Sequence, residues 1–125
     1  MPVLYTASFY DPQDWMGRVY RVSRAHPRGR KTQWETLPFL YPPRDLLRAY
    51  QAGDIGFPDL QRDYLAGLEA GVGLGGELDE WLTTVPSLDQ FTLLCFERAG
   101  QGCHRRVLAG WIEEKVASVD LGELR

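Results

Sequence analysis

Cysteine is scarce in this chain: only Cys95 and Cys103 occur among its 125 residues, and no Cys-x-x-Cys spacing is present. That spacing is typical of structural zinc sites and of thioredoxin-type redox pairs. So few cysteines also exclude a disulfide scaffold. We therefore expect no metal and no cofactor, and the two thiols fit a reducing, cytoplasmic compartment.

Long apolar runs are also missing. No stretch approaches the roughly 20 apolar residues that a membrane-spanning helix needs, and the opening Met1-Pro2-Val3 lacks the basic and hydrophobic regions of a secretory signal. A composition of 44% hydrophobic and 25% charged residues excludes disorder and collagen-like repeats. We expect one globular domain, residues 1–125, that is not associated with a membrane.

Acidic residues are absent between Trp15 and Trp34, although six of the 14 basic residues lie there. These six are Arg18, Arg21, Arg24, Arg28, Arg30 and Lys31. A locally basic segment on a chain of net charge −3 favours an anionic ligand over general coating of nucleic acid. A solvated loop is the simpler alternative.

Alternating apolar residues and breaker residues divide the chain into strands and helices. Strands are predicted at residues 3–9, 18–23, 91–96 and 116–121, and helices at 43–51, 57–68, 77–84 and 104–115. Residues 31–43 contain three prolines and are predicted to form an irregular loop. The strand at 91–96 is apolar on both faces apart from Thr92, as is typical of the middle of a parallel sheet. The interleaved order predicts a single layered α/β domain, with a mainly parallel central sheet flanked by helices.

The segment 91–114 carries the chemistry of the chain. It is predicted to run from a buried strand through a glycine-containing loop into a helix that opens on Cys103-His104-Arg105-Arg106. Such a unit directs backbone N–H groups and the positive end of a helix dipole at one spot. The arrangement suits an anion, a reactive thiolate, or both.

Three residues here are candidates for catalysis. Cys103 is predicted to be a nucleophile more reactive than Cys95, because a helix start and arginines stabilise a thiolate while an apolar strand favours core packing. His104 is a candidate general acid or base, and Glu97 is a candidate base or a partner of Arg105. The alternatives are structural: a small residue filling a helix–sheet junction, a histidine that caps the loop, and a buried ion pair.

Anion binding is predicted for four residues: Arg105, Arg24, Ser23 and Thr6. The last three lie on or just after the first two predicted strands. If these strands are parallel and adjacent, their ends meet in one crevice that could hold a phosphate, sulfate or carboxylate. Three aromatic residues in loops are candidates for its walls, or else for anchors of a secondary core: Trp15, Trp34 and Tyr41.

The sequence also carries a family resemblance. Leu94-Cys95-Phe96-Glu97, followed by Cys103-His104-Arg105 and Leu108-Ala109, resembles the C-terminal signature of the Domain of Unknown Function 488 family. Leu4-Tyr5-Thr6 is similar to that family's opening strand. Where members usually carry Asp-Val-Arg, this chain has Arg21-Val22-Ser23, so the expected acid is missing. The resemblance implies a fold and a site location, and no reaction.

Two classes of function follow. In the first, the chain is a small enzyme or ligand-binding domain for an anionic small molecule or nucleotide, with Cys103 as nucleophile and Arg105 and Arg24 as anion ligands. In the second, it is a nucleic-acid-associated or protein-interaction module that uses the basic residues 18–31. A steep salt dependence of binding would mark the second class. The sequence indicates no oligomeric state.

Overall fold

The computed structural model describes residues 2–12, 14–96 and 104–125. Its strands are β1 (Val3–Ser8), β2 (Arg18–Arg21), β3 (Glu35–Thr36), β4 (Gln90–Cys95) and β5 (Asp120–Leu124). Its helices are α1 (Arg44–Gln51), α2 (Phe57–Gly71), α3 (Glu77–Thr84) and α4 (His104–Lys115), with short 3-10 turns at Pro38–Leu40 and Val85–Ser87. No helix in these ranges is both long and apolar enough to cross a bilayer.

The described strands form one parallel sheet in the order β3-β2-β4-β1-β5. This confirms the predicted α/β fold with a parallel central sheet flanked by helices. β4 lies in the middle and pairs with β1 from Val3↔Gln90 to Ser8↔Cys95, and with β2 on its other side. All but the first of its residues are buried, as the apolar run predicted.

Because β4 lies between them, β1 and β2 are parallel but not adjacent. The adjacency on which a direct meeting of their two ends depended is therefore not met. β4 comes much later in the chain and lies between them, because a later strand of a parallel sheet can insert between two earlier ones. Local sequence carries no information about that insertion.

The two faces of the sheet are covered differently. Alternate residues of a strand point to opposite faces, and one face packs in a large core with the helices, as Leu4 and Leu93 do with Leu108 and Ile112 of α4. The opposite face carries a smaller cluster of Ala7, Phe9 and Leu94, covered by aromatic side chains from loops. The helices therefore lie on one face of the sheet, and the loops can reach the carboxyl ends of the strands.

Two strands differ most from the prediction. β3 lies inside the segment predicted to be irregular, because a strand of two residues has no detectable period. The last strand is Asp120–Leu124 instead of residues 116–121. Val116 and Val119 are buried, but they belong to the turn after α4, where the Val116 amide still donates to the Ile112 carbonyl at 2.8 Å.

Candidate functional site at the carboxyl ends of β2 and β4

A pocket of about 270 Å³ lies where β2 and β4 end and α4 begins. Open parallel sheets bind their ligands at this edge, beyond the carboxyl ends of the strands. Its lining comes from the loop after β2, the end of β4, the start of α4 and the region around α1: Ser23, Arg24, Ala25, Pro42, Leu47, Gln51, Cys95, Phe96 and His104. We refer to this cavity as the β2–β4 pocket.

An imidazole and a thiol meet in the β2–β4 pocket. His104 Nε2 lies 2.8 Å from the carbonyl oxygen of Val22. A carbonyl oxygen can only accept, so this contact assigns the proton to Nε2. In the neutral ring Nδ1 is then an acceptor, and it lies 3.7 Å from Cys95 Sγ. The thiol of Cys95 is thus placed to donate its proton to His104.

The fold explains why these two side chains meet. Alternation along β4 places Cys95 on the same face as Phe91 and Leu93, which is the face that α4 covers. The Val22 amide donates to the Leu94 carbonyl at 3.0 Å, which continues the pairing of β2 with β4 and fixes the carbonyl that orients the imidazole.

Tyr64 of α2 supports the imidazole from another side. Its ring lies edge-on to that of His104, with centroids 5.5 Å apart and an interplanar angle of 81°. The Tyr64 hydroxyl donates to the Leu40 carbonyl at 2.6 Å, so the phenol ring is itself fixed. His104 is only 6% exposed, and elements on both sides of the pocket hold its ring in place.

Cys95 is buried, as the sequence predicted, with 3% of its surface exposed. Its place in the β2–β4 pocket and its contact with His104 are what sequence reasoning missed. One signal was present: Cys95 is close to the carboxyl end of a predicted parallel strand, the edge where ligands bind. The other two catalytic candidates, Cys103 and Glu97, lie outside the described residues, so their roles stay predictions.

Two of the predicted anion ligands, Arg24 and Ser23, line the β2–β4 pocket. Arg24 Nη2 donates to the Pro42 carbonyl at 3.2 Å, and its guanidinium carbon lies 5.6 Å from the centroid of the Tyr41 ring. The Ser23 hydroxyl donates to the Ala25 carbonyl at 2.9 Å. Tyr41 therefore contacts Arg24, although it is not among the described residues that line the β2–β4 pocket.

Thr6 and Arg105 lie elsewhere along the same edge of the sheet. Arg105 Nε donates to the Arg125 carbonyl at 2.9 Å, and the Thr6 hydroxyl donates to the same oxygen at 3.3 Å. Both side chains are thus at the ends of β1 and β5. Neighbouring helix positions are rotated by about 100°, which is why His104 and Arg105 reach different strands. The structure divides the predicted four-residue anion set into two pairs.

The burial of the Arg105 side chain is also unusual. It is fully buried, yet Nη1 and Nη2 have no hydrogen-bond partner among the residues that the structure describes. Its predicted partner Glu97 is not among these residues. Its predicted role in anion binding stays a prediction.

The other aromatic candidates belong to the smaller core. The Phe9 ring lies 4.9 Å from the Trp34 ring, and the Trp15 ring lies 5.9 Å from that of Trp34, between centroids. Neither tryptophan lines the β2–β4 pocket. Of the two predicted roles, the anchor of a secondary core is the one that the structure supports.

Several arginines of the basic segment have local partners. Arg18 forms an ion pair with Glu35 at 2.8 Å, and this hydrogen bond raises the pKa of Arg18. Arg30 Nη2 donates to the Phe9 carbonyl at 3.2 Å. These contacts hold Arg18 and Arg30 to neighbouring parts of the fold.

Two further cavities lack a nucleophile paired with a base in their described lining. One, of about 210 Å³, is lined by residues that include Tyr5, Asp14 and Arg125. Its charges are already paired, because Arg125 hydrogen-bonds Asp14 and lowers the pKa of that carboxyl group. The other, of about 360 Å³, is a largely apolar groove beside α2 and α3. The described residues contain no cluster of histidine, cysteine and carboxylate side chains that could hold a metal ion.

Comparison with known proteins places the β2–β4 pocket inside a matched region. A family model described as the Active DUF488-N3 subclade, DUF488-N3a, matches residues 4–116. All the residues that line the β2–β4 pocket lie within this range. No curated protein and no solved structure matches the chain.

Proposed function

The chain belongs to the DUF488 family, and on that premise we propose that it is a thiol-dependent enzyme acting on a small anionic molecule. Cys95 is the nucleophile and His104 is its base. The observation that carries the proposal is the 3.7 Å contact between Cys95 Sγ and His104 Nδ1, inside a pocket that a small molecule can enter. The word "active" in the description of the matching subclade is a further point in favour.

The chemistry is nucleophilic catalysis. Nδ1 of His104 accepts the proton of the Cys95 thiol, while the N–H at Nε2 keeps its bond to the Val22 carbonyl. The resulting thiolate attacks an electrophilic atom of the substrate, a bond to sulfur forms, and the bond to the leaving group breaks. The leaving group departs with the electron pair and takes the proton from His104. Water then releases the second product and restores the thiol.

Nothing in this scheme requires Cys103, although the sequence alone favours that residue. A thiol at a helix start is the more familiar reactive cysteine, whereas a thiol within an apolar strand resembles core packing. We assign the nucleophile to Cys95 because a base lies beside it, and not because the thiol is exposed. The distance of 3.7 Å suits a hydrogen bond to sulfur, and such contacts tighten when substrate binds.

Alkylation by iodoacetamide at neutral pH tests the proposal. Trypsin cleaves after Arg98, between the two cysteines, so mass spectrometry of the peptides measures each thiol separately. We expect Cys95 to react about tenfold faster in the native protein than in the urea-unfolded protein, because His104 promotes the thiolate. Burial alone would make the native thiol slower.

A matched pair of variants separates the base from the packing. His104→Gln keeps a side-chain N–H for the Val22 carbonyl but removes the base, so the advantage of Cys95 should disappear. Gln51→Ala changes another residue that lines the β2–β4 pocket and should leave the advantage in place. A native Cys95 that reacts more slowly than the unfolded thiol, or a Cys103 that carries all the enhanced reactivity, would overturn the proposal.

A further inference from the structure

We infer that Arg24 selects the substrate, and that its guanidinium binds a carboxylate or phosphate group of a small molecule whose reacting atom lies at Cys95. The inference rests on the proposed function, since it concerns the same pocket. Arg24 lines the β2–β4 pocket together with Cys95 and His104. Its guanidinium presents N–H donors in a planar geometry that matches an oxyanion.

The guanidinium of Arg24 is oriented before any ligand arrives. One of its five N–H groups donates to the Pro42 carbonyl at 3.2 Å, and its plane is held near the Tyr41 ring at 5.6 Å. The other N–H groups have no hydrogen-bond partner among the described residues and can donate to a ligand. A side chain that is already held in place loses less conformational entropy on binding, so the same contacts give a higher affinity.

The charge around Arg24 favours an anion. Among the described residues that line the β2–β4 pocket there is no aspartate or glutamate, whereas an arginine and a histidine are both present. The chain as a whole carries a net charge of −3, so the described part of this lining departs from the average of the molecule. A cleft lined by one sign of charge concentrates ligands of the opposite sign.

The remaining walls limit the size and the character of the ligand. Pro42, Leu47 and Phe96 provide apolar surface, and the volume is about 270 Å³. This is slightly below the usual range of ligand pockets, roughly 300–1,000 Å³. A folded protein or a nucleic-acid duplex does not fit. The class that fits is a small carboxylate or phosphate ester with an apolar portion.

Two alkylating reagents of nearly equal size, which differ in charge, provide the test. Iodoacetate carries a carboxylate and iodoacetamide does not, and both modify the same sulfur. We expect the ratio of the iodoacetate rate to the iodoacetamide rate at Cys95 to exceed the ratio for glutathione by about tenfold, as one charge-assisted hydrogen-bonded pair would give. Dividing the two rates removes any effect of a substitution on the thiol itself.

Arg24→Gln should reduce this ratio to the glutathione value. Arg28→Gln is the matched control, because it removes the same charge from the same basic segment at a residue that does not line the β2–β4 pocket. Its ratio should equal that of the parent. An equal loss in both variants would mean that overall charge attracts iodoacetate, and it would overturn the inference.

Competing anions identify the group that Arg24 prefers. If inorganic phosphate slows the reaction of iodoacetate with Cys95 more than acetate does, the preferred group is a phosphate ester. If acetate slows that reaction more, the preferred group is a carboxylate. No slowing by either anion would overturn the oxyanion site. If the ratio of the two rates at Cys95 equals the glutathione ratio while iodoacetamide still labels Cys95 rapidly, the role of Arg24 is overturned and the proposed function stands. Slow labelling of Cys95 by iodoacetamide would remove the proposed function as well.

Discussion

At the scale of single residues, Arg105 combines full burial with unmet hydrogen-bonding capacity. Its Nε bonds the Arg125 carbonyl, while Nη1 and Nη2 lack partners within the described residues. A buried polar group without a partner destabilises the fold, and replacing it with an apolar side chain of similar volume is often neutral or stabilising.

Substitution of Arg105 measures that balance. Arg105→Met keeps most of the volume and removes the unpartnered donors, so its free energy of unfolding should stay within about 1 kcal/mol of the parent. Arg105→Ala also leaves a cavity and should lower the free energy of unfolding by about 2–4 kcal/mol. Urea unfolding measures both values. If the methionine variant is as unstable as the alanine variant, the guanidinium has a stabilising partner.

His104 and Cys95 show how far residue types alone can lead. The sequence made His104 a candidate site residue, because it follows a predicted strand and loop and opens a helix. Cys95 was not, because a cysteine that packs in a core and one that faces a base have the same sequence signature. The difference depends on the Val22 carbonyl and on the position of α4, and both are set by tertiary structure.

At the scale of elements, the loop before α3 is fixed by one carboxylate. Asp79 of α3 accepts the amides of Gly73 at 2.9 Å and of Gly75 at 2.6 Å. Both glycines have positive φ, +87° and +73°, a conformation that other residues rarely adopt. The two backbone hydrogen bonds lower the pKa of Asp79, since they favour the charged carboxylate.

The pH dependence of stability follows from the direction of that shift. The folded protein holds the Asp79 carboxylate more strongly than the unfolded chain does, so the contribution is present above the ordinary pKa of 3.8. It is lost as the pH falls through the lower value of the folded state. Asp79→Asn should therefore reduce the acid-induced fall in melting temperature. Glu77→Gln, in the same helical turn, is the control and should retain that fall.

Helix boundaries were the most predictable part of the fold. α3 and α4 have the predicted limits, and α1 begins one residue later than predicted; glycine and proline flank α1 and α3, and Gly53, for example, follows α1 with a φ of +81°. β3 and β5 were not predictable in the same way. The two paired residues of β3 are too few to show a periodic pattern. Val116 and Val119 give their segment the apolar pattern of a strand, although they pack in the core from the turn after α4.

At the scale of the whole molecule, the order of the strands in the sheet decides which site residues meet. Ser23 and Arg24 lie beside Cys95 because β2 borders β4, whereas Thr6 is on the far side of β4. The sequence predicts that these side chains lie at strand ends. It does not predict which ends are neighbours, because that depends on crossovers between distant segments.

The central position of β4 also predicts a ranking of local stability. Amides of β4 should exchange with deuterium only through global unfolding, because both edges of the strand are paired and nearly all of its residues are buried. Amides of β3, a two-residue edge strand with exposed side chains, should exchange fastest among the strands. Hydrogen exchange followed by mass spectrometry measures both. Faster exchange in β4 than in β1 would contradict this ranking.

The same arrangement bears on synthesis of the chain from its N-terminus. β1 and β2 pair with β4, and Val3 pairs with Gln90, so neither strand has its central partner until most of the chain has been made. Translation proceeds at about 5–20 residues per second, so Leu4 and Tyr20 remain exposed to water for several seconds on the ribosome. Sheets with such distant pairing also fold slowly after release. The nascent chain thus passes through an aggregation-prone interval that ends only when Gln90–Cys95 emerges.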